Sequence, residues 1–410
     1  MQIRALRVVF SLLVLAEPIA ALDRAEIAAA TPQVTRHLRA LTQILASNRL
    51  RGRDNNTAHS ALSQRILVRL LKRYGDGLDA TRSGDEAYAQ PFVLNNQVGA
   101  NLLAVIRGRE LPEEYVFVGA HYDHLGSRSD SSGRCFAIGM PGGRPCNGAT
   151  DNATGVATVM AIAEAIRVLP QPPRRSVVLA LWDSEEDGLI GSRYYVAHPL
   201  VPLAQTVAYV NFDILGQDLL PSLKRTSFSI GGETGGPDLQ ALVDAAVAGE
   251  PLDLRPVSYL FGQERSDYKS FVDRRVPTVF FSDATGPCYH TIGDDLSIVN
   301  FSKLRAQART AFRLVIELAE RTDRLPFAGR RGLPAVYEDA TSLHQVFQAA
   351  QSDEPLFMAA DRSVIAEARQ RTAAVVAKGA EQFTTDDMFA LLGDAIATIN
   401  ALTRIECRRF

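Results

Sequence analysis

The chain lacks a dominant charge. Its 410 residues carry 44 Lys and Arg against 46 Asp and Glu, a formal net charge of −2. That balance removes the electrostatic reason to expect nucleic acid or an anionic membrane surface as a partner. Cysteine is scarce as well: Cys135, Cys146, Cys288 and Cys407 are too few for a fold held together by disulfides. Internal repeats are missing, which excludes solenoids and propellers, and low-complexity sequence is minor. Beyond the N-terminus no run is long and apolar enough to cross a bilayer. What remains is a chain of 46% hydrophobic and 22% charged residues that can bury a sizeable core, one large domain with an appendage.

The N-terminus, "MQIRALRVVFSLLVLAEPIAALD", places Arg4 and Arg7 before an apolar stretch from Val8 to Leu15, then Pro18 and small alanines at Ala20 and Ala21. This is the pattern of a signal peptide, residues 1–21, and it predicts an exported protein, secreted or periplasmic, with no membrane attachment after its removal. In an oxidising compartment Cys135 and Cys146, which bracket the Gly/Pro-rich "CFAIGMPGGRPC", are the natural local disulfide. The pairing of Cys288 and Cys407 stays open.

After the leader, two packing helices are expected. One opens at Thr31-Pro32 with Val34, Leu38, Leu41 and Leu45 at helical spacing; the other runs from about Ala58 to Tyr74. From "NLLAVIRG" onward, short β-rich runs alternate with helices: "EYVFVGA", the helix after Asp151, "SVVLALW", "GSRYYVAH", "VAYVNF" and "VPTVFF". Runs apolar on both faces and separated by helices imply an α/β fold, a mostly parallel central sheet flanked by helices on both faces. The Pro, Gly and Arg of Asp323 to Val336 read as a linker. Beyond it comes a C-terminal helical appendage, whose last helix carries Phe389, Leu392, Ile396 and Ile399 on one stripe after a Thr385 cap. These helices are expected to cover the surface without completing the core.

In parallel sheets ligands sit at the carboxyl ends of strands. There the sequence places His121 and Asp123, then Glu185 and Glu186, then Asp213, and past "VPTVFF" a turn with His290. Asp151, in "GATDNATG", lies in the connection between the first two of these strands, where an aspartate is otherwise an ordinary helix cap. Two imidazoles and several carboxylates without thiolates suit an open zinc site, or two metals sharing one carboxylate.

The ordered set His121-Tyr122-Asp123, Gly148 to Gly155, Glu185-Glu186, Asn211-Phe212-Asp213 and Tyr289-His290-Thr291 resembles the family of co-catalytic di-zinc exopeptidases that includes aminopeptidase Y, over about Asn95 to Ile316. With the leader and the linker as bounds, the peptidase domain is expected over 22–324 and the helical extension, which the resemblance does not cover, over 325–410. The resemblance implies two Zn2+ per chain. It implies His121 and Asp213 as ligands of one zinc, Glu186 and His290 of the other, and Asp151 as the bridge. Asp123 would orient His121, and Glu185 would be the general base in the hydrolysis of the N-terminal bond of peptide substrates.

Three features depart from the pattern. The stretch from Asp123 to Asp151 is long and holds the cysteine-bracketed loop, a partial lid. Ser266-Asp267-Tyr268 stands where relatives often read S-D-H, which alters the side-chain pocket. His124 competes with His121, and the H-x-D pattern favours His121. Of Tyr259, Phe261, Tyr268, Phe271, Phe280 and Phe281, some are candidates to line an apolar substrate pocket and others to fill the core. The alternatives on this fold are a glutaminyl-peptide cyclase, a carboxypeptidase and a receptor-like domain without activity. The complete ligand set favours the hydrolase.

Overall fold

A computed structural model describes residues 22–127, 135, 144–328, 336–408 and 410. The expected signal peptide and the interior of the cysteine-bracketed loop lie outside the described residues.

In chain order the elements are α1 (Arg24–Ala30), α2 (Leu38–Leu45), α3 (Ala58–Leu71), β1 (Asp76–Gly77), β2 (Ala89–Leu94), β3 (Gln97–Ile106), β4 (Leu111–His121), α4 (Thr154–Arg167), β5 (Arg175–Trp182), α5 (Ile190–Ala197), β6 (Thr206–Phe212), β7 (Thr226–Ile230), α6 (Gly236–Val247), β8 (Asp253–Val257), α7 (Tyr268–Val272), β9 (Thr278–Ser282), α8 (Phe301–Glu320), α9 (Glu338–Ala349), α10 (Ala359–Lys378) and α11 (Thr385–Leu402). The strands form one sheet in the order β1-β3-β5-β4-β6-β9-β7-β8, with β2 also paired to β3. The four central strands, β5-β4-β6-β9, are mutually parallel; the flanking pairs β3 with β5 and β7 with β9 are antiparallel. The sheet is thus mixed, with a parallel centre that matches the four runs apolar on both faces, "EYVFVGA", "SVVLALW", "VAYVNF" and "VPTVFF", and with strands β1, β2, β7 and β8 that the sequence did not mark.

Alternation along the central strands feeds two hydrophobic layers. Val116, Val118 and Ala120 of β4, with Val177, Leu179 and Leu181 of β5, pack beneath α4, α8 and the N-terminal helices. Their neighbours Tyr115 and Phe117, with Val178, Ala180 and Trp182, face the other side. That second layer is closed by the C-terminal helices: Leu343, Phe347, Leu391 and Leu402 belong to the same cluster as Phe117 and Trp182. The helices therefore complete the core of one sheet face instead of covering a finished surface. The expected stripe on α11 is also displaced. Met388, Leu391, Ala395 and Leu402 are buried, whereas Phe389 is 56% and Ile396 37% exposed, and the cap is Thr384, in a capping box with Asp387.

Candidate metal centre

Parallel register brings the site together. His121 ends β4 opposite Trp182, the last residue of β5, and Asp213 directly follows β6. Chain reversal at this edge is abrupt: Ser184, Ile214 and His290 all have positive φ, 55°, 58° and 58°. For a β-branched residue such as Ile214 that conformation is strained. It turns the chain immediately after Asp213, so the carboxylate stays at the strand end.

Asp151 does not cap α4. Its φ and ψ are −114° and 88°, and the side chain that accepts from the Gly155 N–H is that of Asn152, at 3.2 Å. A Cβ on Gly155 would collide with that same Asn152 side chain, which accounts for the second glycine of the motif. Asp151 is thereby free to point at the imidazoles. Asp294 holds its loop, accepting from the N–H groups of Thr150 and Asp151 at 2.8 and 3.0 Å.

The two oxygens of Asp151 face opposite ways. Oδ1 lies 3.2 Å from His121 Nε2, which in turn lies 3.3 Å from Asp213 Oδ1. Oδ2 lies 3.3 Å from His290 Nε2, which lies 3.2 Å from Glu186 Oε2. Ligand atoms about 2.0 Å from a tetrahedral zinc are separated by about 3.3 Å, so all four spacings match edges of such a tetrahedron. The chemistry agrees. His121 Nδ1–H donates to the Asp123 backbone carbonyl at 3.2 Å, which leaves Nε2 as the atom aimed at two carboxylates, a place for a cation, whether a proton or a metal. His290 Nε2 is buried without a hydrogen-bond partner.

Proximity alone groups the donors differently: Glu185 falls with His121 and Asp213, and His124 with Asp151 and Glu186. Distances separate their roles. Glu185 Oε2 is 4.0 Å from His121 Nε2, outside the tetrahedral spacing. His124 Nδ1 is 2.7 Å from Glu186 Oε1, a hydrogen bond to the oxygen that does not face His290. His124 Nδ1 thus pairs with Glu186 on the side away from His290, while it is His121 Nε2 that stands between Asp151 and Asp213.

The electrostatics follow from burial and pairing. Burial resists charging of His121, but the Glu185 and Asp213 carboxylates override it and hold the imidazole well above its usual range. Burial likewise resists charging of His290, and Glu186 and Asp151 lift it to about 10. For Glu186, burial and Asp151 oppose ionisation, yet His290 and His124 hold it at about 2. Asp151 stays well below the usual carboxylate range despite burial, through His124, His121 and His290. Burial raises Asp213. Glu185 is the contrast: burial drives it well above the ordinary range, and its neighbours Asp213 and Glu186 add to the effect.

Asp123 does more than orient His121. Its backbone carbonyl accepts from His121, and its two carboxylate oxygens accept from the N–H groups of Glu185 and Glu186 at 3.1 and 3.2 Å, so one residue fixes both the first histidine and the glutamate pair. Sequence reading missed Arg53. Wholly buried, it donates to the carbonyls of Leu45, Tyr122, Asn147 and Gly148, tying the β4 end to the Asp151 loop. Its "LRGRDNN" context carries no motif, because its partners are backbone atoms remote in sequence. Asp294 gave only a weak signal, four residues after His290.

Beside these residues opens a pocket. Phe261 and Phe280 line it together with Asp151, Glu185, Asp213, Arg265, Tyr289 and Ile399. Tyr268 lies in the core instead, its hydroxyl donating to the Tyr259 carbonyl and accepting from Glu264 N–H, so it shapes the loop that carries Phe261. Phe271 and Phe281 are core residues too. Cys135 and Cys146 form the expected disulfide, and Cys288 pairs with Cys407.

Residues 101–315 match the model of peptidase family M28. The chain is 30% identical over 211 residues to the probable glutamate carboxypeptidase LAMP1 of Arabidopsis thaliana, covering 48% of this chain and 28% of that protein. It is 29% identical over 184 residues to leupeptin-inactivating enzyme 1 of Streptomyces exfoliatus, covering 45% and 35%. The chain thus spans about a third of the length of these curated relatives. Among solved structures, the LapA aminopeptidase of Legionella pneumophila superposes with a TM-score of 0.56 at 17% identity over 76% of this chain and 79% of that one, a likeness of fold.

Proposed function

Proceeding from the fact that this chain belongs to peptidase family M28, we propose that it is a zinc-dependent exopeptidase, an aminopeptidase that removes the N-terminal residue of peptides. One observation carries the reading: the two oxygens of Asp151 each stand at tetrahedral spacing from a different histidine, and each histidine from a further carboxylate. His121, Asp151 and Asp213 would hold one zinc, and Asp151, Glu186 and His290 the other. When bound, two zinc ions would polarise the scissile carbonyl and lower the pKa of an attacking water.

The chain's own residues do the rest. Asp123 and Arg53 hold the strand ends so that ligand positions are set before substrate arrives. Glu185, lining the pocket yet outside the ligand spacing, is the proton acceptor; a carboxylate whose basicity is raised by burial is suited to take a proton from water and pass it to the leaving amine. Tyr289 stacks on His290 with ring centroids 3.7 Å apart. Its hydroxyl accepts from Arg265 at 2.9 Å, and its own proton stays available to donate because burial keeps the phenol well above its usual range. The two disulfides fit an exported protein, and no helix of the described residues is long and apolar enough to cross a membrane.

The test is a zinc titration of the chelator-stripped protein, paired with a panel of N-free and N-blocked peptides. The expected result is two zinc ions per chain and cleavage of N-free substrates only. One zinc per chain with cyclisation of N-terminal glutamine would replace the reading by a cyclase. Cleavage that requires a free carboxylate would make it a carboxypeptidase.

A further inference from the structure

One wall of the pocket lies outside the stretch that matches the family. Ile399 stands on α11, far beyond residue 315, yet it faces the same pocket as Asp151, Glu185 and Asp213. Behind that pocket is a second, apolar cavity of about 100 Å³. The sheet side supplies Leu219, Leu223 and Phe228, and the C-terminal helices supply Leu343, Phe347 and Leu402. The pocket and the cavity share four wall residues: Ile230, Phe261, Ala284 and Ile399. These four form the partition between the pocket beside Glu185 and the apolar cavity.

The position of Ile399 is fixed from two sides. Leu391 and Leu402 on α11 are buried in the shared core. Past the end of α11, Cys407 is bonded to Cys288, two residues ahead of His290. The helix that carries the partition residue is thus tied to the loop that carries a metal-site histidine.

We propose that Ile399 is a specificity-determining residue: the C-terminal helices complete the pocket for the substrate's N-terminal side chain, and Ile399 sets how long an apolar side chain that pocket accepts. The proposal rests on the exopeptidase reading. Its physical content is that an apolar cavity stays dry and takes apolar ligands when it can be reached, and that each methylene moved into it from water favours binding about fourfold. Cutting Ile399 back joins pocket and cavity; enlarging it shortens the pocket.

The experiment uses the full-length, zinc-loaded protein and the p-nitroanilides of alanine, leucine and 2-aminooctanoic acid. In Ile399→Ala the ratio of kcat/KM for 2-aminooctanoyl over alanyl substrate should rise by about tenfold or more, the gain of two or three buried methylenes. In Ile399→Phe the leucyl-to-alanyl ratio should fall by a similar factor. Phe389→Ala, on the exposed side of the same helix, should change neither ratio. Should Ile399→Ala not fold, Ile399→Phe and the smaller step Ile399→Val decide the matter, with ratios moving in opposite directions. Ratios unchanged within twofold in an active wild-type background overturn the role of Ile399 and leave the exopeptidase reading standing. A wild-type protein with two zinc ions that cleaves none of the three substrates overturns both.

Discussion

Glu185 and Glu186 are neighbours in sequence with opposite surroundings. Glu186 is held ionised by His290 and His124, while Glu185 is pushed towards protonation by burial and by other acids. Their amide variants should therefore part company. Glu185→Gln should retain both zinc ions and lose about 10²–10⁴ in kcat, because an amide takes no proton from water. Glu186→Gln should bind zinc more weakly and recover part of its activity in excess zinc. Metal content and turnover measured on both variants check this, and reversed phenotypes would exchange the two roles. His124 extends the argument. Its hydrogen bond to Glu186 Oε1 leaves Oε2 facing His290, so His124→Phe should weaken zinc retention by about 10–100-fold, the usual effect of losing a partner behind a ligand. Chelator competition reads it without any assay of activity, and an unchanged affinity would remove His124 from the site's support. At this scale the sequence was legible where a residue type is itself the signal, as with His121, Asp151, Asp213 and His290. It was silent about Arg53, whose buried guanidinium binds four carbonyls that no pattern announces.

Elements were readable where an unbroken apolar run announces burial on both faces. The central strands, apolar on both faces, could be placed from composition alone, because helices cover both of their sides. Strand β7, buried along its whole length, and the edge strand β8 offered no such run, because Ser227, Ser229 and Arg255 interrupt their apolar residues. On α11 the stripe was misplaced because tertiary contacts chose Leu391 and Ala395 over Phe389 and Ile396. The contact of α9 with the sheet is likewise polar as well as apolar. Asp339, fully buried, accepts from the N–H and the hydroxyl of Ser258, just past β8, each at 2.6 Å. Burial raises its carboxyl to about 7. A carboxyl with a raised folded-state pKa binds its proton more tightly in the native state. Its stabilising contribution is complete below about pH 3.9, the unfolded value, and is lost as pH rises through about 7. Asp339→Asn, which keeps an acceptor and cannot ionise, should therefore flatten the fall in Tm between pH 4 and 8 in metal-free protein. Melting curves across that range check it, and parallel curves for the two proteins would show that Asp339 does not titrate there.

For the molecule as a whole, the boundary after residue 324 suggested by the linker does not separate two independent cores. Proline, glycine and arginine mark a change of backbone texture, and they say nothing about which surfaces the following helices bury. The segment entering the linker is already anchored: Ala328 N–H donates to the Thr234 carbonyl at 2.7 Å, and Arg324 donates to the Ala204 carbonyl at 2.7 Å. Beyond it, α9, α10 and α11 contribute Leu343, Phe347, Ile365, Val375, Leu391 and Leu402 to the cluster that holds Phe228, Ile230, Val257 and Phe261 of the sheet side. Deleting the chain after Ala335 would bare those four side chains along with Leu219, Leu220 and Leu223. At about 1.5–3 kcal/mol for each large apolar side chain fully buried, uncovering even part of this surface rivals the ~5–15 kcal/mol that holds a whole domain together. The truncation also removes Cys407 and with it the Cys288 bridge, a link across 119 residues, worth about 4–5 kcal/mol if it acts by restricting the unfolded chain. The truncated protein should therefore be insoluble or bind an apolar dye without a cooperative melt. The full-length double variant Cys288→Ala with Cys407→Ala should still fold, at a lower Tm, because its apolar cover remains. A soluble truncation with a cooperative melt and two zinc ions would restore the view of the appendage as an added cover, and would leave the pocket beside Glu185 without its Ile399 wall.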